Sequence, residues 1–152
     1  MFTRAREVLH RDNLPTLVMQ RLLFGVNTLL DQYMSVFDTS FTAYMDETFD
    51  FRCSFEDQAD MPARVLSGGQ KVVLALAFKF AVSDLMAGSA PVLVLDEPTV
   101  FLDDINLPLL AQVLTKARAF AEKGVYVLIS THEPMLMPCF SGLLDIGQVK
   151  KE

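Results

Sequence analysis

Two adjacent carboxylates, Asp96 and Glu97, follow directly on the apolar run Val92-Leu93-Val94-Leu95. A run of that kind reads as a parallel strand covered on both faces, and the carboxyl end of such a strand is where open α/β sheets bind ligands. Asp96 suits Mg²⁺, directly or through water, because a hard cation selects carboxylate oxygen. Glu97 is then placed to polarise an attacking water as a general base. A pair of solvated loop acids would look the same locally. The next β-prone run, Val125 to Ile129, ends in Ser130-Thr131-His132-Glu133, which puts His132 at the carboxyl edge of the neighbouring strand. From there the imidazole can donate a hydrogen bond to a terminal phosphate. A structural histidine is the alternative.

A third group stands upstream. Ser67-Gly68-Gly69-Gln70 opens a helix, and a helix start offers unpaired N–H groups and a positive dipole end, which together attract phosphate. Glycines let a ligand approach the backbone closely. The same four residues also spell a capping box, with Ser67 as N-cap and Gln70 at the third helical position.

These groups need elements to hold them. At 152 residues the chain fits one domain with one core. Half of it is hydrophobic (51%) and 21% is charged, which excludes a disordered chain. From Asn13-Leu14-Pro15, where a helix should begin, the residues Leu14, Val18, Leu22, Val26, Leu29, Tyr33 and Phe37 predict one apolar helical stripe. Phe49, Phe51, Cys53 and Phe55 alternate with polar residues and predict a half-buried strand over 47–55, followed by a loop over 56–64. Lys71 to Met86 predicts a helix apolar nearly all round, which belongs inside a larger body. Between the two apolar runs, Asp104 is placed to cap a helix that continues to Gly124. Phe2 to Leu9 is helical in composition, and a short strand is expected over Leu143 to Ile146. The longest apolar stretches fall short of the roughly 20 residues a spanning helix needs, and no export signal follows Met1, so a cytoplasmic place with no membrane contact is expected. Cys53 and Cys139 are expected as a buried strand thiol and a loop thiol. The net charge of −6 argues against a broad nucleic-acid platform, so any contact with DNA must come through an assembly.

The order and spacing of Leu66-Ser67-Gly68-Gly69-Gln70, the apolar helix, the strand ending in Asp96-Glu97-Pro98-Thr99, Leu102-Asp103 and the strand-end His132 resemble the C-terminal part of an ATP-binding-cassette head. The likeness implies an α/β fold: a partial P-loop NTPase head, its C-terminal lobe, with a parallel sheet core and flanking helices. It implies that Asp96 is the Walker B metal ligand, Glu97 the catalytic base and His132 the γ-phosphate sensor, acting on ATP with Mg²⁺. Two such heads sandwich two nucleotides, so Ser67, Gly68, Gly69 and Gln70 match the signature that contacts the opposite head's ATP. Asp103 matches the D-loop aspartate that crosses the same interface. His10-Arg11-Asp12-Asn13-Leu14-Pro15 and the apolar helix after the signature further resemble SbcC-type break-repair ATPases, relatives of the SMC proteins. Transporter cassettes usually carry a basic, Ala-Arg-containing helix at that place. The break-repair likeness implies that residues 1–13 end a coiled-coil helix and 14–152 form the lobe. Its implied partners are an N-terminal ATPase lobe, a second head, a nuclease subunit and, through the complex, DNA whose broken ends are processed.

The sequence contains no Gly-x-x-x-x-Gly-Lys-Ser/Thr loop and no Cys-x-x-Cys hook. The clamp for the β- and γ-phosphates must come from elsewhere, and the chain alone is expected to be inactive as an ATPase. Two other functions fit the same residues: a non-hydrolytic regulatory lobe, and an SMC-like head that clamps DNA without a nuclease.

Overall fold

The computed structural model describes residues 13–37, 39–86, 92–100, 102–116 and 126–144. Helix α1 spans Asn13–Met34, with Pro15 in the first turn, where a missing N–H costs no helical bond. It closes in a tightened turn, the N–H groups of Val36 and Phe37 donating to the Tyr33 and Met34 carbonyls at 3.1 Å each. The expected stripe is exposed at Leu14, Val18 and Leu22, half-buried at Leu29 and Tyr33 and buried at Val26 and Phe37, and the most buried line of the helix also takes in Leu23, Leu30 and Met34, beside the expected positions. The cause lies in the second helix, α2, which spans Gly68–Leu85 and ends against α1 at Gly25. A Cβ on Gly25 would stand 3.1 Å from Leu85 Cδ1. Tyr33 stacks on Phe80 with ring centroids 5.7 Å apart, and its hydroxyl lies 3.4 Å from Asp84 Oδ2. Burial first, and the Asp84 carboxylate second, push the Tyr33 phenol well above its ordinary range.

Where a strand over 47–55 and then a loop were expected, the chain forms a three-stranded antiparallel sheet in the order β1 (Phe41–Met45), β2 (Phe51–Phe55), β3 (Gln58–Pro62). Residues 46–50 form the hairpin turn. The Asp46 carboxylate accepts from the Thr48 N–H at 2.9 Å and the Asp50 N–H at 3.0 Å, and Phe49 takes a left-handed φ of 64°. Phe49 therefore leaves the alternation that Phe51, Cys53 and Phe55 keep. β3 carries polar residues on an exposed edge, held by the Arg52 guanidinium, whose Nε lies 2.9 Å from Asp60 Oδ1. That contact, with the Tyr44 hydroxyl at 2.7 Å, holds the Asp60 carboxyl below its usual range. Asn27 ties α1 to the sheet: its side chain donates to the Met45 carbonyl and accepts the Met45 N–H, both at 2.8 Å.

The expected parallel pair is present. β4 (Val92–Asp96) and β5 (Tyr126–Ser130) pair in parallel, with Leu95 opposite Ile129 and Asp96 opposite Ser130. Among the described residues only one face of the pair is covered. Leu93, Leu95, Val127 and Ile129 pack into the core, while Val92, Val94, Tyr126 and Leu128 are 52, 58, 70 and 62% exposed. Helix α3, Asn106–Lys116, joins the same core through Leu110 and Val113, both fully buried. Asp103, not Asp104, caps α3, its Oδ1 accepting the Asn106 N–H at 2.8 Å. A 3₁₀ segment, Pro134–Cys139, closes this side with buried Leu136 and with Cys139, whose thiol reaches the Ala111 carbonyl at 3.5 Å. Both cysteines are free and buried, so the thiol expected in a loop is packed away as well. Leu143 and Leu144 are exposed and belong to no strand. The remainder of that expected strand, the helix over Phe2 to Leu9, the coil end over residues 1–12 and the stretch of α3 expected up to Gly124 lie outside the described residues.

One cluster of buried side chains runs from Leu30 and Met34 through Phe80, Ala77 and Val73 to Leu95, Leu110 and Leu136. Phe80 is the largest of its fully buried side chains. Phe80→Ala should destabilise the chain by about 3–5 kcal/mol. Urea denaturation would show this as a lower midpoint with an unchanged slope. The uncovered β4–β5 face and the first turns of α1 should make the isolated chain bind a hydrophobic dye and self-associate. Tyr126→Lys combined with Leu128→Lys should reduce both. A monodisperse parent chain with no dye fluorescence would contradict the exposed faces.

Candidate functional site

β4 and β5 finish side by side, and the acid and hydroxyl at their ends emerge on the same face. The Ser130 hydroxyl donates a short hydrogen bond to Asp96 Oδ1. The chain turns at once after Asp96. The Glu97 N–H crosses to β5, bonding the Ser130 carbonyl at 3.0 Å and the Ser130 Oγ at 3.1 Å. Glu97 adopts a left-handed φ of 42°, a conformation that disfavours residues with a Cβ and that the two crossing contacts hold in place. Pro98 and Thr99 continue a turn in which the Val100 N–H reaches the Glu97 carbonyl at 3.3 Å.

This turn aims the Glu97 carboxylate at the neighbouring strand's extension. His132 Nδ1 lies 3.1 Å from Glu97 Oε2, with the imidazole largely exposed and the carboxylate about two-fifths exposed. The backbone on either side of His132 is fixed by its neighbours. The Thr131 hydroxyl accepts the Glu133 N–H at 3.1 Å, and the Glu133 carboxylate accepts the Met135 N–H at 3.4 Å at the start of the 3₁₀ segment. Asp96, Glu97 and His132, singled out in the sequence at 96, 97 and 132, thus form one constellation. Ser130 joins it and was not foreseen. Its signal is the register: in a parallel pair whose last residues are opposed, the residue facing a strand-end acid can be counted off as soon as both strands are placed.

The signature residues stand apart. Among the described residues no hydrogen bond or ion pair links 67–70 to Asp96, Glu97 or His132. The capping box is present in full: Ser67 Oγ accepts the Gln70 N–H at 3.3 Å, and Gln70 Oε1 accepts the Ser67 N–H at 2.9 Å. This satisfies one N–H of the helix start and that of the cap, and leaves Gly68 and Gly69 with N–H groups that have no helical partner. Gln70 Nε2 lies 3.5 Å from Ser40 Oγ, at the rim of an open hollow of ≈ 580 Å³ lined by Met34, Phe37, Phe41 and Ser54 among others. That hollow is remote from the strand-end acids in its lining. Asp103 is exposed, and the Asn106 amide it accepts holds its carboxyl below the ordinary range. Among the described residues no group of three or more His, Cys, Asp or Glu is arranged to enclose a metal ion, and no helix is long and apolar enough to cross a membrane.

The model of the family described as "AAA domain, putative AbiEii toxin, Type IV TA system" matches residues 9–137. The DNA double-strand break repair Rad50 ATPase of Sulfurisphaera tokodaii is 29% identical over 138 residues, which make up 88% of this chain and 15% of that protein. The chain therefore spans less than a sixth of that relative's length. The cytochrome c biogenesis ATP-binding export protein CcmA of Paracoccus denitrificans is 40% identical over 94 residues, 62% of this chain and 40% of the exporter. Among solved structures, the Smc head domain with coiled coil and joint from Pyrococcus yayanosii superposes with a TM-score of 0.65 at 20% identity, over 80% of this chain and 24% of that one. The chain belongs to this AAA-domain family and has the P-loop NTPase head fold of the Rad50- and SMC-related ATPases.

Proposed function

We propose that residues 14–152 are the C-terminal lobe of an ATP-hydrolysing head, that residues 1–13 end a coiled-coil helix, and that the phosphate-loop lobe is supplied elsewhere. The observation that carries this reading is the 3.1 Å contact of His132 with Glu97 beside the Ser130-bound Asp96, at the ends of two adjacent parallel strands. In this reading Glu97 takes the proton of the attacking water. His132 orients that carboxylate through Nδ1 and offers Nε2 to the terminal phosphate. Asp96 is the cation ligand. Asp96 fits Mg²⁺ in kind: an exposed carboxylate with one oxygen bonded to Ser130 and, among the described residues, no protein cage around it. Mg²⁺ keeps several waters and shares one or two carboxylates with substrate phosphates. When bound, it would neutralise charge on the phosphate oxygens.

Ser67 and the amides of Gly68, Gly69 and Gln70 serve the nucleotide of a second head, for which the positive end of α2 is suited. Their separation from Glu97 supports a role toward a different nucleotide. Asp103 belongs to the same interface. The open β4–β5 face and the exposed first turns of α1 support a neighbouring lobe that covers them. The likeness to Rad50 ATPases supports a place in double-strand-break repair, with a nuclease subunit and with DNA bound by the assembled complex, in the cytoplasm at the nucleoid.

The chain by itself should show no ATP turnover, because the groups that cradle the β- and γ-phosphates are missing from its sequence. Turnover by the purified chain that Glu97→Gln abolishes would overturn this. Once completed by a phosphate-loop lobe, Glu97→Gln should hydrolyse ATP roughly 10²- to 10⁴-fold more slowly while retaining Mg²⁺ and ATP, and should accumulate as a dimer. Ser67→Arg should still bind nucleotide in its own head and fail to dimerise. If Ser67 served the cap alone, its substitution would lower stability by about 1 kcal/mol and leave dimerisation intact. Analytical sedimentation with ATP separates these outcomes, and a monomeric Glu97→Gln head or a dimerising Ser67→Arg head would refute the assignment.

A further inference from the structure

The Ser130 hydroxyl stands between two groups of the site, its O–H donating a hydrogen bond to Asp96 Oδ1 and its oxygen accepting the Glu97 N–H at 3.1 Å. Valence fixes that direction. A backbone N–H can only donate and an ionised carboxylate can only accept, so the hydroxyl points its single O–H at Asp96 while its oxygen takes the bond from Glu97. The rotor is held further by the backbone, since the same Glu97 N–H bonds the Ser130 carbonyl at 3.0 Å. Asp96 and Ser130 are directly opposed in the ladder, which brings both side chains to one face without any loop rearrangement. Among the described residues no other group hydrogen-bonds the Asp96 carboxylate.

We propose that Ser130 is a positioning residue for the divalent cation and the general base together. By occupying Oδ1 it fixes the plane of the Asp96 carboxylate and leaves Oδ2 as the oxygen offered to the cation or to a water of its shell. By accepting from Glu97 it ties the backbone of the base to the same anchor. The proposal rests on the reading of Asp96 and Glu97 given above. An exposed aspartate without such a partner is spread over several rotamers, and ordering it costs conformational entropy when a cation binds. The Ser130 proton stays on its oxygen throughout, so the residue acts through geometry and takes no part in bond making.

Three substitutions test this. Ser130→Thr keeps the hydroxyl, Ser130→Val has the shape of threonine without it, and Ser130→Ala removes it with the least bulk. In the chain alone, the NMR signals of the Glu97 N–H and the Asp96 carboxyl carbon should move in the alanine and valine variants and return toward the parent in threonine. In the chain completed by a phosphate-loop lobe, the Mg²⁺ concentration for half-maximal ATP hydrolysis should rise roughly 10- to 100-fold in alanine and valine, as for other partners of metal ligands, and recover in threonine. Turnover at saturating Mg²⁺ should also fall in alanine and valine and recover in threonine, because the tie to the Glu97 backbone is lost with the hydroxyl. Lost stability alone would reduce the active fraction and leave the Mg²⁺ midpoint in place. Signals that do not move in alanine and valine, or an unchanged Mg²⁺ midpoint in an active head, overturn the proposal. A completed parent head that does not hydrolyse ATP overturns the proposed function instead. The NMR comparison then decides on Ser130: movement with rescue by threonine upholds the anchor, and its absence removes it.

Discussion

Register is the constraint on which the chemistry of this chain depends. In a parallel pair a slip of one residue turns every side chain to the other face. Here it would turn Val94 and Leu128 toward the core and push Leu95 and Ile129 outward. The place of Leu93, Leu95, Val127 and Ile129 in one core with Leu110 and Val113 therefore settles where both strands end. Burying a side chain of this type is worth about 1.5–3 kcal/mol, so a slipped ladder loses several such increments at once. The opposition of Asp96 to Ser130, and with it the reach of the Glu97 N–H across to β5, follows from that apolar packing one residue back along each strand. Hydrophobic fit places the polar groups, and the polar groups then hold one another.

Helix α2 links that ladder to the rest of the molecule. Its sequence is apolar on nearly every side because it is packed on α1 by Phe80 and Ala81 and borders the common core through Val73, Leu76 and Ala77. A helix so committed has little freedom to move as a unit, which leaves its N-terminus as a fixed platform. The capping box and a phosphate-facing role are compatible at that platform, since the box uses the N–H groups of Ser67 and Gln70 and spares those of the two glycines.

Much of this was legible in the residues. The two parallel strands announced themselves by continuous β-branched and aliphatic runs, and α2 by its length and its glycine-led start. Asp96, Glu97 and His132 were legible because strand ends are. The antiparallel meander was not, for three separate reasons. β1 is short and follows a helix whose periodicity runs into it. Asp46 folds its side chain into the turn and takes Phe49 out of the alternation. β3 is a polar edge strand whose pairing is set by Arg52 and Asp60, contacts that no hydrophobic pattern encodes. The stripe on α1 was legible as a pattern, and its unburied first half was not, because periodicity shows that a face is apolar without showing what covers it. Asp103 and Asp104 are equally able to cap a helix by composition, and the turn geometry chose Asp103.

The left-handed backbone at Glu97 sets two requirements against each other at one codon. Glycine suits such a conformation best, and asparagine next, yet neither carries a carboxylate. Glutamate suits the chemistry and is poorly matched to the backbone beneath it. A single base change converts a glutamate codon to glycine, so the route from a working residue to a more comfortable one is always open. Selection that rewards folding or abundance would drift along that route, and a library enriched for well-behaved protein would be expected to fill with chains in which this acid is gone.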